Sequence, residues 1–131
     1  MTPWQLPTLE THGRHPTEHE EQKDFVRWFR RTYQGVRIFA IPNGGIRGGA
    51  AGARLQGEGV SRGVPDLFVP EWLLWMEFKR LKGGAMRKEQ EDWREYLLSI
   101  GHHHMRASGS EHGQLQVTLW RRSLEVGNGA A

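Results

Sequence analysis

The stretch GVPDLFVPEWLLWMEFKR, Gly63 to Arg80, decides the fold. It reads as two strands, DLFV (66–69) and LLWMEFKR (73–80), because both runs are rich in apolar and aromatic residues. Pro70–Trp72 supplies a tight connection, which makes the pair a β-hairpin. Residues two apart in a strand share a face. Glu77 and Lys79 therefore point one way, with Leu73 and Trp75 below them, and Leu74, Met76 and Phe78 point the other way. If the hairpin turns around Glu71 and Trp72, Asp66 falls opposite Glu77. Directly opposed side chains lie about 4.5–5.5 Å apart at Cβ. Two carboxylates and an amine thus converge in a run that is otherwise core-forming.

A same-face ion pair between Glu77 and Lys79 on an exposed edge would stabilise little. Two carboxylates face to face repel unless a proton or cation lies between them. A hard divalent ion such as Mg²⁺ takes one or two carboxylates, with water and substrate phosphate completing its shell. The arrangement suits a metal site better than a stabilising contact.

Working outward, TEHEEQKDFVRWFRRTY predicts a helix from residue 17. Thr17 is the N-cap and Glu20 completes a capping box. Phe25, Val26, Phe29 and Tyr33 form its apolar stripe, and Glu18 and Gln22 fall in line with Phe25 and Phe29. Gly35 ends the helix, and VRIFAIP (36–42) reads as a strand. The run 43–63 holds eight glycines together with Arg47, Arg54 and Arg62; it is expected to form a long loop without helix or strand. MRKEQEDWREYLLSI (86–100) predicts a helix stopped by Gly101, with Gln90 in line with Trp93, Leu97 and Ile100. HHHMRAS reads as a short strand. SEHGQLQVTLWRRSLEV (110–126) is read as a helix capped by Ser110, although LQVTLW also alternates like a strand. The order is α-β-β-β-α-β-α, an α/β mixed sheet flanked by helices. Residues 1–16 are an irregular arm, 17–126 one domain and 127–131 a tail.

The chain has 131 residues and no cysteine, which excludes disulfides, thiolate metal sites and a cysteine nucleophile. No apolar run reaches the length of a membrane helix. The N-terminus lacks a basic start followed by an apolar stretch, so no secretory signal and a cytoplasmic location are expected. The net charge of +3 leans toward a polyanionic partner. His102, His103 and His104 alternate faces, so at most two point together, and a zinc site lacks a third ligand. His15 precedes the helix cap and need not share a face with His19. Ser61 and Ser110 show no triad pattern.

VPD followed by EFK resembles the PD-(D/E)xK nuclease signature. TEHEEQ, NGG, GVSRGVPDL, MEFKRLKG and KEQ extend the likeness, and over about residues 17–109 the chain is similar to the VRR-NUC family. The resemblance implies a restriction-endonuclease-like fold and a Mg²⁺- or Mn²⁺-dependent endonuclease acting on DNA. Small stand-alone members, bacterial or viral, are similar to Holliday-junction resolvases and work as homodimers. The family's site residues match Asp66, Glu77, Lys79 and Gln90. The Phe78 backbone carbonyl lies where the metal shell is completed. The N-terminal glutamate matches Glu18, because Gln22 follows four residues later, with Glu20 and Glu21 as competitors. The three histidines lie outside the family pattern.

In that setting a metal held by Asp66 and Glu77 polarises the phosphoryl oxygen and activates water. Lys79 offsets transition-state charge and positions the water, Gln90 orients the water or a phosphate, and Glu18 supports a second metal or its water. Arg47, Arg54 and Arg62 in the glycine-rich run, with Arg80, Lys82, Arg87 and Lys88, are the expected DNA contacts. The alternatives are a less structure-selective nuclease and a non-catalytic DNA-binding domain on the same fold. The costly charges Asp66, Glu77 and Lys79 in a core stretch favour catalysis.

Overall fold

The computed structural model describes residues 15–42, 49–80 and 84–129. Along the chain run α1 (Glu18–Thr32), β1 (Phe39–Ala40), α2 (Ala50–Gly57), β2 (Leu67–Val69), β3 (Leu74–Lys79), α3 (Lys88–Ser99), β4 (His103–Ser108) and α4 (Ser110–Gly129). The strands form one mixed sheet in the order β1-β2-β3-β4. This is the α/β class that the sequence predicts. The chain divides into two compact units: the described parts of 36–77 and 85–104, and those of 1–35, 78–84 and 105–131.

In the first unit, β2 and β3 are antiparallel with Leu67 facing Met76, Phe68 facing Trp75 and Val69 facing Leu74. Leu67, Val69, Leu74 and Met76 are fully buried. Phe68 and Trp75 take the other face, where their rings stack with centroids 4.1 Å apart. The Trp75 indole N–H donates to His102 Nδ1 at 2.9 Å, and Phe39 meets Phe68 edge-on at 5.8 Å. The hairpin is closed by one 3₁₀ turn, Pro70–Trp72. Leu73, expected in the strand, instead takes the left-handed conformation at φ 49° and is exposed, so β3 starts at Leu74. β1 is also shorter than the predicted 36–42. Only Phe39 and Ala40 pair with β2, although Ile38 beside them is buried.

The run 43–63 departs from expectation. Residues 43–48, including Arg47, lie outside the described residues, but Ala50–Gly57 is helical. The glycines are unevenly spread. Within AAGARLQG, Gly52 is the sole interior one, and Ala, Arg, Leu and Gln are among the strongest helix formers. α3 closes as the sequence predicts. Gly101 takes φ +87°, its N–H bonds to Leu98 O, and the His102 N–H bonds to Leu97 O, the two bonds of a Schellman cap. Leu97 is buried, whereas Ile100, expected on the same stripe, is 49% exposed because the helix has ended before it.

The second unit pairs the first and last helices. The Thr17–Glu20 capping box forms as read, with Thr17 Oγ1 accepting from Glu20 N at 3.1 Å and Glu20 Oε1 accepting from Thr17 N at 3.2 Å. Phe25, Phe29, Phe78, Ala107 and Val117 make the core, with Phe25 and Phe78 5.1 Å apart at their centroids. Gly113 lets α4 approach closely. A Cβ there would stand 3.1 Å from the Phe25 ring and 3.3 Å from Ala107 Cβ. α4 is helical throughout, which settles the ambiguity of LQVTLW, and it continues to Gly129 through residues expected to be tail. Ser110 is its first residue rather than its cap, and Gly109 precedes it at φ +93°.

Candidate active site

Asp66 stands one residue before β2. Continuing the register of Leu67 with Met76 by one step sets Asp66 beside Glu77, and the Asp66 carbonyl accepts from Ile41 N at 2.8 Å on its other side. The arrangement follows from the hairpin itself. Phe68 and Trp75 on one face fix Asp66 and Glu77 to the same face, because the period of a strand is two. Glu77 is only 3% exposed. A charge buried so far is costly unless compensated. Part of that compensation is visible, since Gln90 Nε2 donates to Glu77 Oε1 at 2.7 Å.

Gln90 owes its orientation to its place on α3. It is the third residue of the helix, and its Oε1 accepts from Arg87 N at 2.8 Å. With the oxygen committed to the helix cap, the amide nitrogen must face Glu77. The donor contact of Gln90, the residue read as orienting water or phosphate, is with this carboxylate.

The loop leading into Asp66 is pinned to the same helix. Gly63 sits at φ +86°, and a Cβ there would lie 2.5 Å from the carbonyl carbon and oxygen of Glu89. The Trp93 indole N–H donates to Arg62 O at 3.1 Å. The glycine of GVPD is therefore a packing requirement that brings Asp66 and Gln90 to their places. Pro65 is fully buried behind it.

Lys79 is the last residue of β3, two beyond Glu77 and on the same face of that strand, and is 6% exposed. Gly84 packs against it. A Cβ on Gly84 would lie 2.6 Å from Lys79 Cβ and 2.9 Å from Arg80 O. Arg106 holds Gly84 through a hydrogen bond from Nη2 to its carbonyl, while Arg106 Nη1 donates to Ser108 Oγ at 2.9 Å. The sequence gives no hint of this support, because Gly84 and Arg106 are 22 residues apart.

Glu18 does not occupy the core position expected of it. It is exposed at the first position of α1, and the buried carboxylate of the helix is Glu21, 7% exposed. Glu18 has the right azimuth, but it lies a turn nearer the helix end than the residues covering the stripe. Glu21, four before Phe25 and eight before Phe29, meets the start of α4. Its Oε2 accepts from Ser110 N, and a Cβ on Gly109 would lie 3.0 Å from that oxygen. Ser110 Oγ donates to Asp24 Oδ2 at 2.6 Å and accepts from Gln114 Nε2 at 2.9 Å. Glu21 is thus a helix cap supplied from another helix, satisfying a donor that α4 leaves open. Burial, with Glu21 and Asp24 nearby, raises the Glu111 carboxyl above its usual range.

Of the expected DNA contacts, Arg62, Arg80, Arg87 and Lys88 are exposed. Arg54 is exposed on α2 and paired to Glu58 at 3.1 Å. Arg47 and Lys82 lie outside the described residues. His102 accepts from Trp75, and neither ring nitrogen of His104 has a hydrogen-bond partner among the described residues. Burial, and secondarily the cation of Arg94, lowers the His104 pKa to about 4. Among the described residues no group of three or more histidine and acidic side chains is placed to hold a metal, and no helix is long and apolar enough to cross a membrane.

This fold is shared with a protein of known structure. A VRR_NUC domain protein superposes with a TM-score of 0.66 at 21% identity, over 81% of this chain and 88% of that one. No family model matches the chain, and no curated protein matches it. The fold is therefore that of a VRR_NUC domain protein.

Proposed function

We propose that the chain is a VRR-NUC-type endonuclease that hydrolyses phosphodiester bonds in DNA with the help of Mg²⁺ or Mn²⁺. The observation that carries this reading is the hairpin register, which sets Asp66 beside a buried Glu77 whose Oε1 is held by Gln90. The donor set fits a small hard cation. Two carboxylates suffice for Mg²⁺, which keeps several waters, and the Phe78 backbone carbonyl would add a third oxygen. Such an ion supplies Lewis-acid polarisation of the phosphoryl oxygen and a more acidic water.

The chain's own residues do the rest. Asp66 and Glu77 would hold the cation, and Gln90 would keep the Glu77 carboxylate from rotating away. The Lys79 ammonium positions the attacking water and offsets the charge that grows on the phosphoryl oxygens. Exposed Arg62, Arg80, Arg87 and Lys88 bind backbone phosphates. A role for Glu18 at a second cation is not favoured by its exposure. Branched DNA is the proposed substrate and a two-fold homodimer the proposed assembly, since two equivalent sites suit two equivalent strands.

The test is cleavage of a labelled four-way junction and of linear, flap and single-stranded DNA, with Mg²⁺, Mn²⁺ or chelator, by wild type and Lys79→Ala. Metal-dependent cuts confined to the junction and lost in the variant support the whole reading. Cuts on every substrate keep the nuclease and remove the junction preference. Tight binding without cutting under any metal leaves a binding domain.

A further inference from the structure

α1 carries a feature that the nuclease chemistry does not use. His19, Lys23, Arg27, Arg30 and Arg31 recur at spacings of four, four, three and one, which gathers them on one side of a helix. All five are exposed, while Glu21, Phe25 and Phe29 are buried. They line an open cavity of about 500 Å³ with Val26, and no carboxylate lines it among the described residues.

Helix stability alone does not account for the stripe. Arg30 and Arg31 lie in the last turn, where cations suit the helix dipole. Lys23 and Arg27 lie mid-helix. Lys23, Arg27 and Arg31 follow one another at i, i+4, a like-charge series that weakens a helix. A bound polyanion would turn this repulsion into attraction. From His19 to Arg31 the helix rises about 18 Å, a length over which duplex DNA carries about ten phosphate charges. A bilayer-binding helix would set bulky apolar residues beside its cations; here Phe25 and Phe29 face inward.

We infer that this face of α1 is a docking surface for the DNA backbone, additional to the contacts around Asp66 and Glu77. The inference rests on the nuclease reading for its partner. It is tested by fluorescence anisotropy with a labelled 30-base-pair duplex in chelator, over a salt series. Wild type is compared with Lys23→Gln/Arg27→Gln and with Arg121→Gln/Arg122→Gln, which removes equal charge from α4. Thermal melts check that each double variant folds. The α1 variant is expected to bind more weakly, with a log K against log salt slope shallower by about 1.8, at about 0.9 per lost phosphate contact. The α4 variant should keep the wild-type slope. Wild-type slope and affinity in the α1 variant, or equal losses in both, overturn the inference and leave the nuclease untouched. Loss of sedimentation with phosphatidylserine vesicles, with duplex binding intact, assigns the face to lipid and also overturns it. A wild type that cuts junctions yet shows no salt-dependent duplex binding overturns the inference alone. A wild type that neither cuts nor binds overturns both.

Discussion

At the scale of single residues, the site rests on few atoms. Lys79→Ala and Glu77→Gln should each lower the single-turnover cleavage rate by about 10²–10³-fold, the usual cost of losing one preorganised electrostatic partner of a transition state. Circular dichroism should show both variants folded. Cleavage within a few-fold of wild type would remove these residues from the chemistry. His104 gives a prediction of a different kind. Its folded pKa of about 4 lies below the ordinary 6.5, so the unfolded chain takes up a proton between these values while the folded chain does not. Stability is therefore lost as pH falls from about 6.5 toward 4. His104→Phe should flatten that part of a melting temperature against pH curve, and an unchanged slope would show that the loss comes from other groups. The placing of Asp66 opposite Glu77, and of Glu77 and Lys79 on one face of β3, was legible because a strand has a strict period of two. The sequence did not show which α1 carboxylate is buried, because helical azimuth says nothing about which turn its partner covers. The Gly109–Ser110 start of α4 fixes that level, and Ser110 lies 89 residues away from Glu21.

At the scale of elements, glycines set how closely segments approach. Gly63 meets the Glu89 backbone at a left-handed φ. Gly63→Ala should cost about 1–3 kcal/mol in strained backbone alone, and denaturant unfolding should show a loss at least that large. Gly84→Ala collides with Lys79 and Arg80, so it should depress cleavage more than its loss of stability explains. Gly127→Ala meets nothing within 4 Å and should be neutral or stabilising by up to about 1 kcal/mol. Similar losses for all three would mean that close approach is not what these glycines serve. Element boundaries were legible where caps are local, as at Thr17 and Gly101. They were not legible in α2, where a glycine count concealed a short run of strong helix formers, nor in β1, where only Phe39 and Ala40 pair in register with β2.

At the scale of the molecule, fold and sequence separate. At 21% identity a VRR_NUC domain protein keeps the fold over most of both chains, because alternation, caps and a few close contacts are what the fold requires. On the proposed reading, an ion held by Asp66 and Glu77 in the folded state alone would add about 2.7 kcal/mol at a hundred times its dissociation constant. Mn²⁺ should therefore raise the melting temperature of wild type and leave that of Asp66→Asn unmoved. Equal shifts would place the ion elsewhere.

The clamp between Glu21 and Ser110 joins residues 89 apart in the chain, and that has a consequence for biosynthesis. α1 leaves the ribosome with Phe25 and Phe29 already made, while Ser110 and Gly113 follow more than 80 residues later. At ordinary synthesis rates of about 5–20 residues per second, those rings wait about 4–17 seconds for the part of their cover that α4 supplies. The nascent chain thus carries α1 without its α4 partner through most of its translation, with aromatic surface exposed to misassembly until then.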